Sequence, residues 1–338
     1  MPRTRRIVSQ ALATLERNLR REGDPLGMRQ SYWTDWAQGL DLPAQGERCL
    51  YTGRMYQMLP YVAQTTKLVA RYQSWLACPG MATLMNLGSR LAGEATLRRL
   101  AASAGEIRQR ASDSLRGIWA GLKAVGASPA YLQQQEPYSG VLLYDLGLEA
   151  SAQRQAAKLA GLFSAQGFRE VIAVDPHSLH LLRGALPETL ERSGVAIRHY
   201  LEVLAPEREK IARLRGELPI QEVVVHDSCV MARELGIIDQ VRQVAQALGL
   251  KVKEPADNRE NTACCGGPIE YAFGELSRQV SRLRAQELAR VSSQVLVTCP
   301  ICLLNLTPYE SELGIRVWDL GELLQRALGA ALSSDNQR

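Results

Sequence analysis

With 338 residues, 46% hydrophobic and 22% charged, the chain is long for a single compact core and has the composition of a globular protein with two domains. Its formal net charge of +5 comes with no nucleic-acid-binding motif, and its longest notable uncharged run, 72–89, is too polar to span a bilayer; nucleic-acid binding and an integral membrane protein are both excluded. Seven cysteines, an odd number, with no export signal indicate reduced thiols in the cytoplasm rather than a disulfide framework.

Residues 1–45 read as a helical arm. Their start, MPRTRRIVSQALATLERNLRREGD, interleaves arginines with apolar residues like an amphipathic helix, and the turn-rich stretch that follows holds Trp33 and Trp36. An α/β unit is expected over 46–212, interrupted by a basic helical insertion at about 66–120. Residues 67–123 carry nine basic side chains against three acidic ones, so this segment is +6 and the rest of the chain −1. A solvated helix face accounts for the excess, and a docking surface for an acidic partner is the competing reading. PEREKIARLRGELPIQ forms a charged connector, and a second α/β unit is expected over 213–330.

The second unit concentrates the chemistry. Five cysteines stand in order: Cys229 in VVVHDSC, Cys264 and Cys265 in NTACCGGPIEYAF, and Cys299 and Cys302 in VLVTCPIC. EVVVHDSC and QVLVTCPIC are apolar runs that read as buried parallel strands delivering their last residues to loops. Open α/β sheets bind ligands at the carboxyl ends of their strands, so these loops can converge. The segments between the cysteine groups have helical periodicity, which accounts for the spacings of 34 and 33 residues. A disulfide between the neighbours Cys264 and Cys265 is badly strained. Structural zinc takes four ligands, one fewer than the thiols present. Several irons give adjacent thiolates separate places to go, and Gly266 and Gly267 let backbone approach closely. His226 has three open roles, a hydrogen bond near the sulfurs, a cap or a core position, and Asp227 and Ser228 are candidate caps for the next helix.

The order HDSC, CCGGP, CPIC resembles the cysteine-rich CCG domain of heterodisulfide reductase catalytic subunits and related iron–sulfur proteins, the glycolate and lactate oxidation subunits among them. The resemblance implies a non-cubane 4Fe-4S cluster at which disulfides are cleaved or formed, with Cys229, Cys264, Cys265, Cys299 and Cys302 as metal and cofactor ligands. Some members hold zinc instead.

Members of this family usually carry two such domains, and the first half contains a degenerate copy. EPYSGVLLYDLG parallels ACCGGPIEYAFG, with Tyr138 and Ser139 where the paired cysteines stand and Tyr144 and Gly147 matching Tyr271 and Gly274. EVIAVDPHSLHLL parallels QVLVTCPICLLNL, placing Asp175 and Ser178 opposite Cys299 and Cys302; AIRHYLEVL parallels GIRVWDLGELL; and Arg54 stands where the first cysteine is expected. Five hard or bulky side chains cannot replace five thiolates around iron, so no cluster is expected there. Cys49 and Cys78 read as buried structural thiols. Arg54, Asp175 and His177 form a candidate site in the vacated pocket, with drift into a structural remnant as the other reading.

The fold expected is therefore α/β, with two tandem pseudo-repeated Rossmann-like domains. By resemblance the protein is an iron–sulfur oxidoreductase subunit acting on a disulfide or thiol substrate, partnered by a ferredoxin-like iron–sulfur subunit and a flavoprotein subunit. The alternatives are a subunit that only relays electrons and a scaffold or maturation factor with a structural zinc or cluster site.

Overall fold

The computed structural model describes residues 13, 15–21, 23–64, 99, 102–185, 194–270 and 273–335. The described part of the arm is helical over 15–21 and ends in a 3-10 turn, Gln30–Ala37, that buries Trp33 and Trp36. Two four-stranded parallel sheets follow. The first is built from β1 (Arg48–Tyr51), β2 (Ala130–Tyr131), β3 (Glu170–Ala173) and β4 (Ala196–His199) in the order β2-β1-β3-β4. The second repeats that order as β6-β5-β7-β8, from β5 (Glu222–Val225), β6 (Lys251–Lys253), β7 (Gln294–Val297) and β8 (Arg316–Asp319). The central strands β1, β3, β5 and β7 are buried after their first residue, as strands covered on both faces must be.

Parallel neighbours need crossovers, and helices supply them. In the first half these are α1 (Gly105–Ala124), α2 (Val141–Asp145), α3 (Glu149–Ala165) and α4 (Pro176–His180), with α5 (Tyr200–Leu204) and α6 (Arg208–Leu214) after β4. In the second half they are α7 (Asp239–Ala247), α8 (Gly274–Ala289), α9 (Pro300–Leu306) and α10 (Glu310–Leu313), closed by α11 (Leu320–Asp335). Helix α1 joins β1 to β2 as α7 joins β5 to β6, so residues 105–120 serve as the crossover of the repeat. Residues 66–98 of the proposed insertion, and Cys78 with them, lie outside the described residues.

Three local features fix the register between the copies. Asp175 and Cys299 each stand two residues after their strand and N-cap a helix with proline at its first position. His199 and Asp319 each end the outer strand, and Glu202 and Glu322 reach back to their backbone N–H groups. Gly140 and Gly266 both adopt left-handed backbone, φ 90° and 82°, just before a helical turn. That match sets Tyr138 and Ser139 opposite Cys264 and Cys265. The pairing of Tyr144 with Tyr271 and of Gly147 with Gly274 belongs to a register one residue away.

Of the basic residues on α1, Arg110 is spent inside the molecule, while Arg108 pairs at the surface. Arg110 is buried; its Nε is 2.9 Å from Glu322 and its Nη1 3.3 Å from Glu310, and it also donates to the Val317 carbonyl. Arg116 donates to the carbonyls of Trp36 and Gln38, and Arg108 pairs with Asp35. Helix α1 thus ties the arm to the last helix. It crosses α11 at Gly117 and Gly321, where backbones touch: a Cβ on Gly117 would lie 1.8 Å from the Gly321 carbonyl oxygen. The Tyr56 hydroxyl, 2.9 Å from Asp319, is a second link between the halves.

Candidate metal centre

In each sheet the strand order reverses direction between the two central strands, so a crevice opens at their carboxyl ends. In the second sheet that crevice lies beyond β5 and β7, and the cysteines gather there. Cys229 leads from β5 into a π-helical turn, Val230–Glu234; Cys264 and Cys265 lie on the loop between β6 and α8; Cys299 caps α9, and Cys302 is in its first turn. Their thiols interact in sequence, Cys229 with Cys264, Cys264 with Cys265, Cys265 with Cys302, and Cys302 with Cys299. Cys265, Cys299 and Cys302 are buried, while Cys229 and Cys264 are half-buried.

The surroundings hold this loop from several sides. Asp227 is not a helix cap: its carboxylate receives both Nη atoms of Arg242, at 2.5 and 2.8 Å, and the backbone N–H of Arg259 at 2.7 Å. Arg233 donates to the carbonyls of Glu260 and Thr262. The two glycines after the cysteines have different reasons. Gly266 takes a left-handed conformation, and a Cβ there would meet the Ser277 carbonyl at 2.6 Å; its N–H donates to Cys264 Sγ at 3.3 Å. At Gly267 a Cβ would strike Ile301 at 2.2 Å, so this glycine is required by packing against α9. His226 is buried, with Nε2 3.3 Å from Cys302 Sγ and Nδ1 3.0 Å from Arg284 Nε. Its pKa is pushed down to about 3 by burial and then by Arg284, so the ring is neutral.

Charge among the sulfurs is divided. Hydrogen bonds from Cys229 and Cys265 hold the Cys264 thiol far below its ordinary range. Burial works against ionising Cys299, but Cys302 and His177 outweigh it and bring that thiol down as well. Cys229, Cys265 and Cys302 are pushed up by the sulfurs beside them. Five sulfurs this close cannot all ionise unless cations lie among them. Five soft donors converging on one crevice fit a polynuclear thiophilic centre by the chemistry of the set.

Residues 223–307 match the CCG family, described as the cysteine-rich domain. This segment is a CCG domain. The chain is also 28% identical over 240 residues to a probable membrane-anchored ferredoxin of Chromohalobacter salexigens, an alignment covering 66% of this chain and 35% of that protein. It is 27% identical over 222 residues to an EtfAB:quinone oxidoreductase of Syntrophomonas wolfei, covering 61% and 31% respectively. The chain thus spans about a third of the length of the curated relatives it matches. Both names describe redox proteins, and the likeness supports an iron–sulfur redox or electron-transfer role. Among the described residues no helix is long and apolar enough to cross a membrane.

The first half faces the CCG domain. His177, on α4, lies against Cys299, and its Nδ1 is 3.6 Å from Asp145. Burial lowers its pKa, but Asp145 and Cys299 outweigh this and hold the ring well above its ordinary value. A narrow cleft of about 30 Å³ lies here, lined by Met55, Met58, Tyr138 and His177 from one side and by Gly267 and Ile301 of the CCG domain from the other. The candidate trio of Arg54, Asp175 and His177 is not assembled. Arg54 is buried with its Nη1 2.9 Å from Asp24 of the arm, donates to Gln30 and to the Glu136 carbonyl, and takes φ +66°. Asp175 instead caps α4, accepting from the Ser178 N–H at 2.9 Å. Asp24 and Glu136 were not singled out in the sequence, since nothing local marks residues 30 and 82 positions from Arg54 as its partners. Cys49 is buried in β1 and its thiol faces the Leu50 carbonyl, a packing role.

Proposed function

We propose that the CCG domain holds an iron–sulfur centre of the non-cubane 4Fe-4S type on Cys229, Cys264, Cys265, Cys299 and Cys302, and that the protein is an oxidoreductase subunit of the heterodisulfide reductase type. The observation that carries this reading is the gathering of five mutually interacting thiols at the sheet's switch point. When bound, such a centre supplies one-electron redox chemistry and an affinity for sulfur. The chain's own part is to hold and tune it. His226 and the Gly266 N–H stand beside the Cys302 and Cys264 sulfurs, and the narrow adjoining cleft, walled in part by Met55, Met58 and Ile301, leaves little room for water there. No second centre accompanies it in the first half by this reading, so electrons come from or go to other subunits, a ferredoxin-like iron–sulfur protein and a flavoprotein. A thiolate site of this kind belongs in a reducing compartment, the cytoplasm.

Protein isolated without air is expected to be brown and to contain iron and acid-labile sulfide. Cys302→Ser should lose both, while Cys49→Ser keeps them. A colourless protein with one zinc per chain would overturn the proposal. That outcome belongs to the second reading, a scaffold or maturation factor with a structural site, which is favoured by the proximity of the His226, Cys265 and Cys302 ligand atoms, all within 4.8 Å of one another. Disulfide reduction by the reconstituted complex separates a catalytic subunit from an electron relay.

A further inference from the structure

The spacing of His226, Cys265 and Cys302 would suit a single zinc ion with imidazole among its ligands. Arg284 decides against that use of the ring. A guanidinium has donors and no acceptor, and its Nε lies 3.0 Å from His226 Nδ1. Nδ1 must therefore present a lone pair. A neutral imidazole that accepts at one nitrogen carries its proton on the other, and the other is Nε2, 3.3 Å from Cys302 Sγ.

We infer that Arg284 is a positioning residue that fixes His226 as the Nε2–H tautomer, making it a hydrogen-bond donor to the Cys302 sulfur and withholding it from metal ligation. Arg284 is itself built in: it is 1% exposed, its Nη1 is 2.5 Å from Glu287 and its Nη2 3.3 Å from the Thr262 hydroxyl. With three of its nitrogens engaged the guanidinium cannot swing away from the ring. Two consequences follow. A hydrogen bond to a ligating thiolate favours the more negative, reduced state and raises its potential. And a site whose histidine offers N–H instead of a lone pair has only sulfur donors left, which discriminates against mononuclear zinc.

The effect on potential rests on the iron–sulfur reading; the tautomer does not, so the two are tested separately. In metal-free full-length protein with ¹⁵N-labelled histidine, long-range proton–nitrogen spectra should show His226 protonated at Nε2. In protein that carries iron and sulfide, His226→Leu should keep the metal and shift the midpoint potential downward, and His226→Gln, which returns an N–H donor, should recover most of the shift. Arg284→Leu should bind zinc more tightly than wild type in competition with a chromophoric chelator, and adding His226→Leu should abolish that gain. A wild-type ring protonated at Nδ1, or an unchanged potential in fully loaded His226→Leu, overturns the inference. If no preparation holds iron, the proposed centre fails, while the spectra and the zinc competition still decide the role of Arg284.

Discussion

Replacing Gly117 by alanine tests how the halves are held together. Two effects of opposite sign compete. Alanine in a helix interior is favoured over glycine by about 0.5–1 kcal/mol. Against this, the new methyl group would lie 1.8 Å from the Gly321 carbonyl oxygen and 2.5 Å from the Gln325 nitrogen, both main-chain atoms that no side-chain rotation can move. Restoring an ordinary C···O separation of about 3.3 Å requires α1 and α11 to part by roughly 1.5 Å. Overpacking of this kind costs about 1–3 kcal/mol or more, so a net destabilisation of about 2 kcal/mol is expected, lowering Tm by roughly 3 °C. Gly161→Ala is the control. Gly161 lies within α3, a Cβ there meets nothing within 4 Å, and only the propensity gain remains. Calorimetry or circular dichroism of both variants should show opposite signs. A Gly117→Ala protein as stable as the Gly161→Ala protein would refute the close crossing.

Arg54→Met removes the partner of a buried carboxylate, Asp24, and should cost about 3–5 kcal/mol while leaving iron per folded chain unchanged, as a melt and a metal assay will show. Burial raises the Glu136 pKa from 4.5 to about 7. The folded protein therefore binds this proton more tightly than the unfolded chain, and the stability it contributes is present below pH 4.5 and lost as pH rises through 7. That amounts to roughly 3 kcal/mol, and Glu136→Gln should flatten this part of a denaturant-measured stability profile between pH 4.5 and 8. Restoring all five thiols of the first half, by Arg54→Cys, Tyr138→Cys, Ser139→Cys, Asp175→Cys and Ser178→Cys, should not raise the iron stoichiometry of the anaerobically isolated protein.

The α/β repeat was legible because EVVV and QVLV are uninterrupted apolar runs, and because DPHS and CPIC share a proline that starts a helix in both copies. Strand-end geometry brought together the loops of Cys229 and of Cys299 and Cys302; Cys264 and Cys265 joined them through the family resemblance. What escaped were contacts between residues far apart in sequence. Arg110 read as part of a solvated face or docking surface because charge counts as exposed in a helical pattern; it is instead buried against Glu322, which only folding brings near, whereas Arg108 stays exposed beside Asp35. Asp227 looked like a helix cap because it precedes a helix, but Arg242 and the Arg259 N–H claim its carboxylate. The tautomer of His226 depends on Arg284, 58 residues away, and no local pattern announces it.

The two switch points have become electrostatic opposites. Beside the sulfurs of the CCG domain stand N–H donors from His226 and Gly266, with Arg284 behind the ring, all suited to negative charge. In the first half the corresponding strand end carries a cation, Arg54, and its surroundings are carboxylate, amide and carbonyl oxygens from Asp24, Gln30 and Glu136. Asp24 comes from the arm and Glu136 from the loop before Tyr138, so the inversion extends beyond the five ligand positions. Thiolates set back at those positions would be desolvated near the buried carboxyls of Asp24 and Glu136. The first half therefore serves as a wall: its α4 presses His177 against Cys299 and closes one side of the cleft that the CCG domain opens.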